Sequence, residues 1–374
     1  MTSSNDIMSC PVLSCPVYSC NFLITGANFG NKGAQSMLYT STNELLKRFP
    51  GSTIYFASTE NYDEETYTFR KLYFFGRNIN ISLGGLSGVK AFMKAAVKDA
   101  VKFIIGRENR ELKHYRNFSE VMRRITAIID ISGYSLGSKW GNNIPYGYIN
   151  KIRLAKKYSI PIYLMPQSFG PFDYTPDVMQ KLQPMLADIL SYPRIIFARE
   201  REGFDSMQDL FGLHNVKLSA DIVLQNSGLD LKNIFRTPPV ISVPKINADR
   251  ELAGIVPNMR CLDHGDKDRI LHAYREIVDY VLGLGYRVVL FRHSREDLEF
   301  CRLIKNFYAS DENVMLIENE FTCLEYNEFV RQFKFLICSR YHGLVHAYKN
   351  IVPCIALGWA VKYFSLTENV GQKD

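Results

Sequence analysis

A chain of 374 residues is longer than one hydrophobic core usually organises, so two domains are the natural division. Its 47% hydrophobic and 22% charged residues are those of an ordinary globular protein, and no run of 18 apolar residues offers a bilayer-spanning helix. The net charge of +7 favours acidic small molecules or an anionic membrane surface as partners, and no recognition helix, zinc finger or RNA-binding signature points to nucleic acid.

The first 20 residues carry Cys10, Cys15 and Cys20 in a five-residue repeat, SCPV-x-SCPV-x-SC. This is no standard zinc spacing and reads as a flexible leader. Without the basic region of a secretory signal, the chain is expected to be cytoplasmic. Cys261, Cys301, Cys323, Cys338 and Cys354 are scattered through predicted elements, as suits reduced thiols. After the leader, short apolar runs predict strands over 21–25, 53–58, 125–131, 161–165, 194–198 and 216–218. Helical patterns cover 33–49, 146–158 and 176–191. The segment 226–247, with Ser227-Gly228 and Pro238-Pro239, breaks this rhythm and predicts a boundary between domains 21–235 and 236–374. The pattern then restarts, with strands over 253–257, 287–291, 314–317, 335–338 and 353–357. Helices are expected between them, over 266–284, 296–307, 323–333 and 342–350. Alternation of this kind predicts an α/β chain of two Rossmann-like domains facing each other across a cleft.

Ligands of such sheets bind beyond the carboxyl ends of the strands. The strand 335–338 runs directly into Ser339-Arg340-Tyr341-His342-Gly343 and a helix. A fresh helix N-terminus beside a guanidinium attracts an anion, and the imidazole of His342 can move a proton. Gly343 removes a side chain where a ligand would approach. The loop Gly26-Ala27-Asn28-Phe29-Gly30-Asn31-Lys32-Gly33-Ala34 follows the first strand. It matches neither the Walker loop nor the dinucleotide pattern. Its place suits anion or sugar binding, with Asn28 and Asn31 offered to an acceptor. Two further loops, 132–137 and 166–172, lie at the same edge, where Gln167 and Ser168 can meet sugar hydroxyls. Arg199 follows the strand 194–198, and His293 ends the strand 287–291. Lys362 lies beyond the last strand, where an ammonium can reach a phosphate. His264 near Asp263, and His293 near Asp297, make no recognised ligand spacing, so no metal is expected.

Taken in order, Gly30–Ala34, Pro166–Pro171, Ala198-Arg199-Glu200, Asp221, His293-Ser294, Ser339–Gly343 and Lys362 resemble the polysaccharide pyruvyl transferase family. The resemblance runs from about residue 21 to 366, and its more specific parts are the Arg-x-His-Gly junction and the Pro-Gln-x-x-Gly-Pro loop. It implies a GT-B-like fold, with phosphoenolpyruvate as co-substrate and no cofactor. It implies that Arg199 and Arg340 hold the donor, with Lys362, His293 and Gly343 beside them, and that His342 acts in catalysis. The expected product is a pyruvate ketal on a sugar of a surface polysaccharide or its lipid-linked precursor. In that scheme the N-terminal domain carries the acceptor and the C-terminal domain the donor. Two other readings stand beside it: a GT-B glycosyltransferase gripping a nucleotide diphosphate with the same arginines, and a catalytically silent glycan-binding relative.

One stripe bears on location. Lys90, Lys94, Lys98 and Lys102 recur every four residues opposite Phe92, Met93, Val97, Val101 and Ile105. Such a basic amphipathic helix fits either the protein core or the inner face of an anionic membrane.

Overall fold

A computed structural model describes residues 19–58, 60, 62–73, 117–141, 144–263, 265–358 and 361–372. The leader repeat with Cys10 and Cys15, and the lysine stripe from Lys90 to Lys102, lie outside the described residues. Among the described residues no helix is long and apolar enough to cross a membrane, and the six cysteines are free thiols.

The first half runs β1 (Asn21–Thr25), α1 (Lys32–Arg48), β2 (Thr53–Ser58), β3 (Arg70–Tyr73), β4 (Ala127–Asp130), β5 (Tyr134–Leu136) and α2 (Ile144–Lys157). It continues through β6 (Ile162–Phe169), α3 (Pro176–Leu190), β7 (Ile195–Ala198), α4 (Arg201–Phe211), β8 (Val216–Leu218) and α5 (Ile222–Gln225). The second half runs β9 (Leu252–Val256), α6 (Arg260–Asp263), α7 (Lys267–Gly283), β10 (Arg287–Phe291), α8 (Asp297–Asn306) and β11 (Val314–Ile317). It ends with α9 (Cys323–Val330), β12 (Phe335–Cys338), α10 (Tyr341–Lys349), β13 (Cys354–Ala356) and α11 (Val361–Asn369).

Two parallel sheets result. The first has the order β3-β2-β1-β4-β6-β7-β8 with β5 added beside β6, and the second the order β11-β10-β9-β12-β13. Each is Rossmann-like, and each reverses its strand order beside its first strand. Those reversals lie at β1/β4 and β9/β12 and put the following loops at the ligand-facing edge. Strands covered on both faces need apolar side chains throughout, and every residue of Leu252–Val256 is buried. Gly254 is the small member of that run. A Cβ there would lie 2.3 Å from Leu336 Cδ2 and 3.0 Å from Phe291 Cε1. Gly254→Ala is therefore expected to cost about 1–3 kcal/mol by overpacking, read by urea denaturation.

Three expectations change at the element level. β3, with Arg70 and Lys71, is an edge strand among the described residues, and its charge disguised it. β5 forms inside the expected loop 132–137. β6 continues through Pro166 to Phe169, so Gln167 and Ser168 stand in a strand rather than a loop. The β6–β7 register shifts between Leu164 and Gln167, and a proline without an N–H is tolerated at such an irregularity.

The halves are joined through α1, which packs on α5, α9 and α10. It is largely polar, yet Lys32, Gln35, Ser36, Thr40, Ser41, Thr42 and Asn43 are all buried. Several of these groups are matched across the contact. Gln35 Oε1 accepts from Cys323 N at 2.6 Å, and Ser36 Oγ lies 3.0 Å from His346 Nε2. The other ring nitrogen of His346 is 3.2 Å from Asn327 Oδ1, which only accepts. Nδ1 therefore carries the proton and Nε2 accepts from Ser36. Burial, with the neighbouring His342, holds His346 down to about 3, so it is a neutral strut. One apolar cluster, including Ile24, Tyr39, Val256 and Phe291, spans both sheets.

Candidate active site

The site forms where loops from both sheets meet at α10. That helix begins at Tyr341, with Arg340 as an uncapped N-cap residue at φ −110°, ψ 124°. Ser339 is not the cap. It is buried under the turn, with its hydroxyl 2.9 Å from that of Tyr274 and 3.2 Å from Val256 O. No side chain caps the first turn of α10 by a hydrogen bond, so its N–H groups keep their pull on an anion.

His342 follows. Its Nε2 lies 3.4 Å from Asp221 Oδ2, within ion-pair range but outside hydrogen-bond alignment. Asp221 comes from the other half, where it caps α5 by accepting from Val223 N at 2.8 Å. The same Oδ2 accepts from Arg199 Nη1 at 2.7 Å. One carboxylate thus joins the imidazole of one domain to the guanidinium of the other. Burial alone would raise the Asp221 carboxyl. The His342 and Arg199 charges outweigh it and hold Asp221 well below the usual carboxylate range. On the opposite side His342 rests on Gly33. A Cβ at Gly33 would come within 2.2 Å of His342 Nδ1, so the ring needs a glycine there.

Both terminal nitrogens of Arg199 are held. Nη2 donates to Gly133 O at 2.8 Å and to Ser168 Oγ at 2.7 Å, and the guanidinium stacks 4.3 Å from the Tyr341 ring centre. Its Nε, 3.8 Å from Glu200 Oε1, has no hydrogen bond. Glu200 is buried, and burial pushes its carboxyl up against the opposing pull of Arg199. Lys362 approaches from α11. Its Nζ lies 5.0 Å from the Tyr134 ring and 5.9 Å from that of Tyr341, within cation–π range. Burial, with repulsion from Arg199, lowers the ammonium to about 7.

Arg199, His342 and Lys362 therefore converge around Tyr341. Arg340 behaves differently from the expected open fork. Its Nε donates to Asp297 Oδ2 at 2.8 Å and its Nη2 to Glu296 Oε1 at 2.7 Å, with a further bond to Asp297 Oδ1. Two carboxylates of its own domain already hold it. Gly343 does not open space for a ligand. A Cβ there would meet Cys338 Sγ at 2.5 Å and Tyr326 Oη at 3.2 Å, so this glycine lets α10 lie close on β12.

Of the four residues expected at the acceptor, Gln167 and Ser168 are buried, Asn31 is half-buried and Asn28 is exposed. Gln167 is fully buried; its Oε1 accepts from the Tyr148 hydroxyl at 2.9 Å and its Nε2 donates to Met165 O at 3.2 Å. Its amide supports the strand ends from beneath. Ser168 donates to Glu200 Oε1 at 2.8 Å while accepting from Arg199, so it positions the guanidinium. Asn31 caps α1, its Oδ1 accepting from Gly33 N at 2.9 Å and Ala34 N at 3.2 Å. Asn28 Oδ1 accepts from Asn31 N at 2.9 Å and shapes the same loop. His293 is also buried, edge-on to Tyr326 with ring centres 4.9 Å apart.

Asp221, Glu200, Tyr134 and Tyr341 join the site without a role predicted from the sequence. The available signal was position, since each follows or flanks the carboxyl end of a strand. Among the described residues no group of histidine, cysteine and carboxylate side chains could hold a metal ion.

Comparison with known proteins gives the same architecture. The chain superposes on UDP-GlcNAc 2-epimerase of Methanocaldococcus jannaschii with a TM-score of 0.52 and 11% identity, covering 94% of this chain and 87% of that one. UDP-GlcNAc 2-epimerase of Neisseria meningitidis, bound to UDP-GlcNAc, gives 0.51 and 11%, covering 93% and 85%. At such identity these likenesses show the fold alone, two Rossmann-like domains in the GT-B arrangement. No curated protein matches by sequence. The model of the family described as polysaccharide pyruvyl transferase matches residues 31–360, from the cap of α1 to the approach of α11. The chain belongs to the polysaccharide pyruvyl transferase family.

Proposed function

We propose that the chain transfers the three-carbon unit of phosphoenolpyruvate to a saccharide and closes it as a pyruvate ketal. The observation that carries this reading is the shared Asp221 carboxylate. It brings the His342 imidazole and a stacked guanidinium to one point between the two domains. Family membership supports the same chemistry.

In this scheme His342 gives a proton to C3 of the enol, and C2 becomes oxocarbenium-like. A sugar hydroxyl adds to C2, phosphate leaves, and a second hydroxyl adds to close the ring. Of the two hydroxyl protons, one restores His342 and the other leaves with phosphate. Asp221 stabilises the imidazolium and Arg199 the donor's negative charge. The acceptor is a sugar of a surface polysaccharide or of its lipid-linked precursor, taken up from the cytoplasmic side.

Lys362 gives this reading a pH signature. Its ammonium loses a proton as pH rises through about 7, which weakens its pull on the anionic donor. kcat/KM for the donor is expected to fall across that range, and Lys362→Met to flatten the limb. A descending limb unchanged in Lys362→Met removes the lysine from donor binding. The function itself is tested by incubating the protein with phosphoenolpyruvate and a panel of saccharides and measuring phosphate release. Release that depends on a saccharide is expected. A nucleotide-sugar enzyme would ignore phosphoenolpyruvate, and a silent binder would release nothing.

A further inference from the structure

On the far side of His342, away from Arg199, lies a second set of buried polar groups. Asn31 and Ser294 pair there as an antiparallel bridge, which brings the start of α1 against the end of β10. Lys32 follows directly and is 1% exposed. His293 is equally buried, and neither of its ring nitrogens has a hydrogen-bond partner. Ser294 Oγ, 4% exposed, and Tyr326 Oη, fully buried, are unpartnered too. Buried polar groups are normally paired, so several orphans in one place mark a site made for a polar occupant.

The charge around them specifies the occupant. Lys32, Arg292, Arg295 and Arg340 face Asp297, Glu296 and Glu320. The carboxylates are already committed: Asp297 to Arg340, Ser294 N and Met259 N, and Glu320 to Arg295 at 2.7 Å. Lys32 remains lowered by burial, with Glu320 opposing and Arg292 adding to the effect. An oxyanion is the occupant that satisfies an ammonium, a hydroxyl and an imidazole N–H together.

We propose that Lys32, His293 and Ser294 form a phosphoryl subsite on one side of His342, with the donor's carboxylate directed to Arg199 and Lys362 on the other. This rests on the proposed function for the identity of the donor. It adds Lys32 and Ser294 to the site and orients the substrate, leaving its methylene carbon beside the imidazole.

The test titrates the full chain with inorganic phosphate and, separately, with pyruvate, by calorimetry. Lys32→Met, which keeps the stem and removes the charge, is expected to weaken phosphate by about ten- to a hundredfold while leaving pyruvate within about twofold. Ser294→Ala removes one hydroxyl without touching the backbone bridge, and is expected to shift phosphate in the same direction by a smaller factor. Arg199→Lys should show the reverse pattern, with pyruvate weakened and phosphate kept. Equal weakening of both probes in Lys32→Met, unchanged phosphate binding, or a wild-type chain that binds no phosphate and holds only buried water would each overturn the subsite. Phosphate binding that depends on Lys32, in a chain that never consumes phosphoenolpyruvate, would keep the subsite and sink the proposed function instead.

Discussion

His342→Gln is expected to lower kcat by about 10²–10⁴-fold, the usual contribution of a positioned general acid–base. The geometry makes the substitution informative. The ring lies between the first turn of α1, where Gly33 clears a space for it, and the Asp221 carboxylate at 3.4 Å. Glutamine keeps a polar group of similar reach but cannot carry a proton between donor and acceptor. The donor is held mainly by other groups, so its KM should change far less than kcat. Such a split is the signature of an interaction made in the transition state. Rapid-quench measurement of phosphate release separates the chemical step from product release. A variant with kcat within about threefold of wild type would remove His342 from proton transfer.

Asp221→Asn is expected to destabilise the protein by about 3–5 kcal/mol and to abolish most activity, because it strips a buried guanidinium of its one hydrogen-bonded carboxylate among the described residues. Arg199 and Asp221 are both buried; Gly133 O and Ser168 Oγ are neutral acceptors, and Glu200 lies 3.8 Å from Nε without a hydrogen bond. The pH dependence gives the sign. Asp221 is held below its ordinary range in the folded state, so its stabilisation is complete above the unfolded value of about 3.9. It is lost as pH falls through the folded value. Urea denaturation should show the full gap between wild type and variant near neutrality, with the two curves converging below about pH 4. A gap smaller than about 1 kcal/mol at pH 7 would place this pair among weak surface contacts and contradict the account.

The sheets were readable because buried parallel strands are apolar throughout: Phe335–Cys338 and Leu252–Val256 announce themselves within a residue. The strand 70–73 did not, since Arg70 and Lys71 on an edge strand look like loop. Pro166 was misleading for a related reason. Proline usually interrupts a ladder, and only the register shift after Leu164 lets β6 run on to Phe169. That error placed Gln167 and Ser168 on a surface loop when they are buried supports of Asp130, Tyr148 and Arg199.

The site was legible as a set of residues but not as a wiring diagram. Arg199, His342 and Lys362 do meet. Nothing in their spacing reveals that Asp221 joins the first two, because that contact needs the domains docked through α1. Arg340 shows the same limit. Its position predicted a cation at the helix start, while its capture by Asp297 and Glu296 depends on α8 lying alongside. The part expected of Gly343 falls to Gly33 instead. The first serves packing, and the second is the glycine that gives the catalytic ring its room.

The most direct measurement is a crystal structure of His342→Gln grown with phosphoenolpyruvate. The account predicts donor density spanning the two domains, with the carboxylate at Arg199 and Lys362 and the phosphoryl group toward Lys32. Donor held by one domain alone, or a pocket that excludes phosphoenolpyruvate and accepts a nucleotide sugar, would contradict it.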